Sequence, residues 1–167
     1  MLSTVRVLLG VLGFCSLALV RPPSIVAQER ADASQGMVAY QSDARFDATL
    51  ERVESAIKDR GLFLMNTLDH SGSAAKFGRE LSPNSVVLFG NPQVGSQIMT
   101  CAPQAGIDLP QKLLVWEADG HVFVAYNSPE YLTRRHSIEG CEELLSRVAE
   151  TLDAIAREVA GRTEPPG

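Results

Sequence analysis

The chain has 167 residues, with 15 Lys and Arg against 20 Asp and Glu, a formal net charge of −5, and 45% apolar residues. That is enough chain for one domain with its own core. The acidic balance excludes recognition of nucleic acid or anionic lipid by bulk charge.

Residues 1–27 have the layout of a secretory signal peptide. Arg6 precedes an apolar run, Val7 to Val20. Arg21-Pro22-Pro23 breaks that run, and Ile25-Val26-Ala27 offers a small residue for cleavage. The run is shorter than the ~20 residues a membrane span needs, so no stable membrane insertion is expected after cleavage, with an uncleaved anchor as the alternative. The expected location is periplasmic or extracellular. Without Arg6 and Arg21, 13 basic residues face 20 acidic ones, a net of −7. Cys101 and Cys141 then lie where disulfides persist, and two cysteines allow one intramolecular pairing. A buried free thiol at Cys141 is the alternative.

Residues 36–160 read as a single domain and 161–167, with two prolines, as a frayed tail. Gly36 to Gln41 reads as a strand. Ser42 or Asp43 can cap the following helix, whose Phe46, Leu50, Val53 and Ile57 recur at steps of three and four. Gly61 ends it. Leu62 to Leu68 reads as an apolar strand of buried type, and Ser73 to Glu80 as a short helix. Ser85 to Phe89 is a further buried strand. Pro92 suits the first position of a helical turn over Val94 to Thr100, which Pro103 and Gly106 break.

Leu113 to Glu117 and His121 to Tyr126 flank Asp119-Gly120, a dipeptide that favours a tight hairpin because both positions accept positive φ. The spacing of Ile138, Cys141, Leu145, Val148, Leu152, Ile155 and Val159 predicts one long amphipathic helix over 138–160. It is expected to cover a sheet face, with a dimer coiled coil as the alternative. The order points to an α+β fold: one domain, a mostly antiparallel sheet covered by helices, closed by the long C-terminal helix.

Several segments together resemble the family catalogued as domain of unknown function 302. They are Leu68-Asp69-His70; Phe89-Gly90-Asn91-Pro92 with Gly95-Ser96 and Met99; Ile107-Asp108-Leu109-Pro110 with Lys112; and Trp116-Glu117-Ala118-Asp119-Gly120. The resemblance runs from about Val38 to Ile155. It implies a compact α+β domain, often a homodimer, and no assigned reaction. Cys101 and Cys141 are outside the pattern.

The candidate site is drawn from turn-supported polar residues at strand ends: His70, Asn91, Ser96, Met99 and Lys112. Asp69 could orient His70 or cap the next helix. The Asn91-Pro92 turn can bind an anion or simply satisfy its own backbone. His70, Met99 and Cys101 are donors that would suit copper or a haem iron, although Met99 can equally be core and a bridged Cys101 could not be a ligand. Lys112 can hold a carboxylate or phosphate, or be solvated. Arg134-Arg135-His136 reads first as a solvated connection, with contact to an anion or a partner as the alternative, and His121 is expected to be exposed. The sequence lacks a P-loop ending and a nucleophile elbow. A non-catalytic module binding a small anion, a metal or haem is therefore the leading reading. A structural homodimeric interaction domain and an enzyme using His70 as general acid or base are the alternatives.

Overall fold

The computed structural model describes residues 36–162. The signal peptide expected over 1–27 lies outside them, as does most of the tail. Five strands are present: β1 (Met37–Gln41), β2 (Phe63–Asp69), β3 (Asn84–Gly90), β4 (Gln111–Ala118) and β5 (His121–Asn127). Five α-helices accompany them: α1 (Phe46–Asp59), α2 (His70–Ala75), α3 (Pro92–Cys101), α4 (Pro129–His136) and α5 (Glu142–Val159). A 3₁₀ turn covers Pro103–Ile107. The sheet order is β1-β5-β4-β3-β2, antiparallel throughout. The α+β architecture read from the sequence is the one observed.

The sheet packs one face against α1 and α5. Register sets Val87 beside Leu113 and Val115 beside Val124 on that face, and all four are fully buried. Val53 and Ile57 of α1 and Leu152, Ile155 and Val159 of α5 complete the core. Truncating Leu152 to Ala would cost about 2–5 kcal/mol through lost contacts and the cavity left behind. A second apolar cluster joins Ile98 of α3, Leu132 of α4, Leu145 of α5 and Ile138.

The Asp119-Gly120 hairpin is present, with φ of 52° and 74° at the two turn residues, and it pairs Ala118 with His121. Four local expectations are corrected. Neither Ser42 nor Asp43 caps α1, which starts three residues later. Ser42 Oγ instead accepts from the Ala44 amide and bonds Thr49 Oγ1 at 2.8 Å, while Asp43 pairs with Arg52. The short second helix begins at His70 because Asp69 caps it. The long C-terminal helix starts at Glu142 rather than Ile138, and a separate helix, α4, precedes it. Ser128 caps α4 with Pro129 in its first turn, and Ser137 in the left-handed region ends it. Ile138 and Cys141 are buried all the same, because the intervening loop folds onto the second cluster. Finally, β2 is not buried. It is a sheet edge, and most of its side chains are exposed.

Candidate functional site

Antiparallel pairing decides which strand ends can meet. The C-terminal end of β3, the start of β4 and the C-terminal end of β5 share one end of the sheet. The loops carrying Asn91, Ile107 to Pro110 and the start of α4 therefore gather there. Asn91 Oδ1 accepts from the Gln93 amide at 2.9 Å and so caps α3, with Pro92 in its first turn. Ser96 Oγ donates back to Gln93 O at 2.9 Å.

Between α3 and the Leu109-Pro110 loop lies a cleft of about 400 Å³. Its walls are mostly apolar, with Met65, Val94, Met99, Leu109 and Val148 prominent; Asn91, Ser96 and Gln111 contribute polar groups. Two glycines shape it differently. A Cβ on Gly106 would stand 3.2 Å from Met99 Sδ, so a glycine lets the 3₁₀ turn approach the thioether. A Cβ on Gly95 would stand 4.0 Å from the nearest atom of Leu109, which leaves room over the cleft. A smaller hollow of about 150 Å³ shares Gly90, Asn91, Val94, Gln111 and Val148 with the cleft and reaches Arg147 and Thr151 of α5. Arg147 pairs with Glu143 at 2.8 Å on the exposed side of that helix.

Asn91, Ser96 and Met99 are thus brought together, as expected. Lys112 lies at the same end of the sheet but does not line the cleft. Its Nζ donates to Asp108 O at 2.6 Å and Pro110 O at 2.9 Å, tying the loop down. Burial lowers the lysine's pKa, and the nearby Asp108 carboxylate opposes that.

His70 is not brought to this site. β2 ends beside Ser85, at the start of β3, so His70 and Asn91 stand at opposite ends of the sheet. The length of β3 between them is ~17–20 Å. His70 is exposed, and no hydrogen-bond partner for it is found among the described residues. Asp69 does not orient it. Asp69 accepts from Ser71 Oγ at 2.7 Å and from the Gly72 amide at 2.8 Å, and these bonds hold its pKa below the usual range. His70 and Met99 therefore cannot share one metal. No group of three or more His, Cys, Asp or Glu with metal-binding geometry occurs among the described residues.

Cys101, at the end of α3, and Cys141, just before α5, have their Cα atoms 6.4 Å apart, within reach of a disulfide. A bond between them would leave Cys101 no thiolate to offer. His121 is exposed, and its Nδ1 lies 3.1 Å from Gln41 Nε2.

The closest side-chain pair at this end is one the strand-end rule passes over. Asp108 Oδ2 is 2.5 Å from His136 Nε2, with both side chains largely buried. Arg135 reaches Asp108 Oδ1 at 3.3 Å, and Gln104 Nε2 donates to His136 O at 2.9 Å. The Arg135-His136 part of the basic cluster does meet an anion, and that anion is the chain's own carboxylate. The apolar wall residues Met65 and Val148 carried no signal in the sequence, because nothing there distinguishes a cleft wall from core.

Residues 38–159 match the family described as domain of unknown function DUF302. The chain belongs to the DUF302 family. A DUF302 protein from Bacillus stearothermophilus, described as an uncharacterized conserved protein, superposes with a TM-score of 0.68 at 18% identity, over 74% of this chain and 97% of that one. That likeness shows the fold. Two curated relatives share 36% identity over 104 residues, 62% of this chain. They are fluoride-specific ion channel FluC 1 of Brucella suis biovar 1 (strain 1330) and of Brucella abortus biovar 1 (strain 9-941). The DUF302 chain spans 41% of the first and 38% of the second, so most of each channel protein lies outside the match. Among the described residues, no helix is long and apolar enough to cross a membrane.

Proposed function

We propose that this chain is an exported, non-catalytic binding module for a small ligand with an apolar body and one anionic group. The carrying observation is the cleft of about 400 Å³ between α3 and the Leu109-Pro110 loop, continuous through shared residues with the hollow that reaches Arg147. A thioether, aliphatic walls and a few polar groups fit an aliphatic or aromatic body better than a bare ion. Arg147 and Thr151 at the far end suit a carboxylate. A metal or haem in this cleft loses support, since no His lines it. Export is supported by the leader-like layout of residues 1–27 and by a cysteine pair placed for a disulfide. The name carried by the Brucella relatives supports a link with a small anion.

The test is a methyl-resolved NMR titration, with Met65 and Met99 as reporters and octanoate and sodium fluoride as probes. Octanoate is expected to move both methionine methyls. Gly95→Leu should abolish the response by filling the cleft, without harm to the helix, because leucine is the better helix former by ~0.8 kcal/mol. Arg147→Ala should weaken octanoate binding about tenfold. Shifts with fluoride alone would replace the amphipathic ligand by a bare anion. No response to a panel of aliphatic and aromatic carboxylates would sink the reading.

A further inference from the structure

A second hollow, of about 480 Å³, opens at the opposite end of the sheet from the cleft and shares no residue with it. Its walls are the loop from β1 into α1, the first turn of α1, Pro83 just before β3, and the β4–β5 hairpin. Backbone bonds fix those walls against their surroundings. Ser42 N donates to Val122 O at 2.8 Å, Asp43 N to Ala160 O at 3.2 Å, and Glu117 N to Pro83 O at 2.9 Å. The volume lies within the ~300–1,000 Å³ of small-molecule sites.

Strand alternation aims a carboxylate into this space. Leu113 and Val115 of β4 are fully buried on the face that α1 and α5 cover, and Glu117 is next in the same row. Register sets it beside the buried Val122. Glu117 is therefore a half-buried charge at the end of an apolar row. Its carboxylate has no hydrogen-bond or ion-pair partner among the described residues. Burying even part of an unpaired charge costs stability, and a ligand cation in the hollow would offset that cost. Arg45 immediately precedes α1 and Asp47 lies in its first turn. Both line the hollow and are exposed, and neither has an ion-pair partner among the described residues. Nearby Asp43, by contrast, is paired with Arg52 at 2.5 Å.

The unpaired set is one guanidinium and two carboxylates, and it defines a ligand by complement. The guanidinium matches a carboxylate, and the two carboxylates match two ammonium groups. No third acidic, His or Cys donor joins them in metal-binding geometry among the described residues, so an organic cation fits better than a metal ion. We propose that this hollow binds a free basic α-amino acid such as lysine. Arg45 and Asp47 are two residues apart, which suits the neighbouring carboxylate and ammonium of one α-carbon. The side chain then runs along the apolar wall that Phe46 and Val122 provide, and its terminal ammonium meets Glu117. Bound this way, the ligand's net charge of +1 cancels the −1 of the three protein groups.

The experiment is an NMR titration of the full chain with lysine, read at the Gly120 amide and the Val122 methyls. Both are expected to shift and to saturate below about 10 mM. Glu117→Gln keeps the size of the side chain and should weaken binding about tenfold. Arg45→Gln should weaken it about threefold, since an exposed ion pair contributes less. Norleucine lacks the terminal ammonium and should bind about tenfold more weakly than lysine. Cadaverine lacks the carboxylate and should bind about threefold more weakly. Arg147→Ala, in the hollow beside the cleft, should leave lysine binding unchanged, so this site and the cleft are read separately. No shift up to about 10 mM overturns the proposal. So does a shift that survives both Glu117→Gln and Arg45→Gln, or norleucine binding as tightly as lysine.

Discussion

His136 Nε2 sits 2.5 Å from Asp108 Oδ2, and the two side chains are 6% and 14% exposed. This contact fastens the loop that walls the cleft to the end of α4. Lys112 holds the same loop from β4 through two carbonyls. The loop is thereby held from two elements that differ in sequence position but share one end of the sheet.

Asp108→Asn removes the carboxylate that faces both His136 and Arg135. Removing a buried hydrogen-bond partner costs about 1–3 kcal/mol, and the exposed Arg135 adds little. Urea unfolding reads it. A double-mutant cycle with His136→Gln should return a coupling of about 1–3 kcal/mol. A coupling near zero would mean that the contact only fills space.

Linking Cys101 to Cys141 closes a stretch with a sequence separation of 40. In the chain-entropy account, a loop of that length contributes about 4 kcal/mol. The double variant Cys101→Ala, Cys141→Ala should lose close to that much, and wild-type protein in excess reductant should match it. If reductant leaves the melting temperature unchanged, the cysteines are not bonded in solution.

Tyr40 and Tyr126 both donate to Asp153 Oδ1, while Arg157 Nε donates to Asp153 Oδ2 at 2.6 Å and its guanidinium lies 5.2 Å from the Tyr40 ring centre. Burial, then the bond and charge of Asp153, push the Tyr40 phenol up to about 12. Burial drives Asp153 up, but hydrogen bonds from Tyr40 and Arg157 outweigh it and hold the carboxyl low. A raised phenol pKa stabilises the fold fully below the unfolded value near 10, and that contribution is lost as pH rises through about 12. A depressed carboxyl pKa acts in the opposite window. Its contribution is present above the unfolded value near 4 and disappears as pH falls through the folded one. Wild-type stability should therefore fall as pH rises above 10; Tyr40→Phe should make that limb shallower without abolishing it, because burial raises the Tyr126 phenol too, and should also weaken the acid limb, because Asp153 loses the Tyr40 hydrogen bond. An unchanged alkaline limb in Tyr40→Phe would assign the loss to another group.

Gly120 has φ of 74° in the β4–β5 turn, and a Cβ there would meet no atom within 4 Å. Gly120→Ala is then a purely conformational test, expected to cost about 1 kcal/mol. Asp119, at φ 52°, should tolerate Asn with no measurable loss. A neutral Gly120→Ala would show that the turn relaxes to another type.

What the sequence determined by itself is local. Asp119-Gly120 made the hairpin because the dipeptide accepts two positive φ values whatever surrounds it. Pro92 opened α3 for want of an N–H, and the steps of three and four placed Val53, Ile57, Leu152, Ile155 and Val159 on core faces. The late start of the last helix, at Glu142, was also written locally, in Gly140 with its φ of 78°, but the continuous apolar spacing from Ile138 masked it. The α+β class and the DUF302 family were legible because they rest on such short-range patterns. What only the tertiary structure decided is which strand ends meet and which strand lies outermost. Antiparallel pairing sent His70 to the far end from Asn91, and the order β1-β5-β4-β3-β2 put an apolar strand on the edge. Asp108 met His136 across 28 residues for the same reason. Side-chain period and turn chemistry act over a few residues, whereas strand order depends on which pairings bury the most surface at once, and no short window contains that sum.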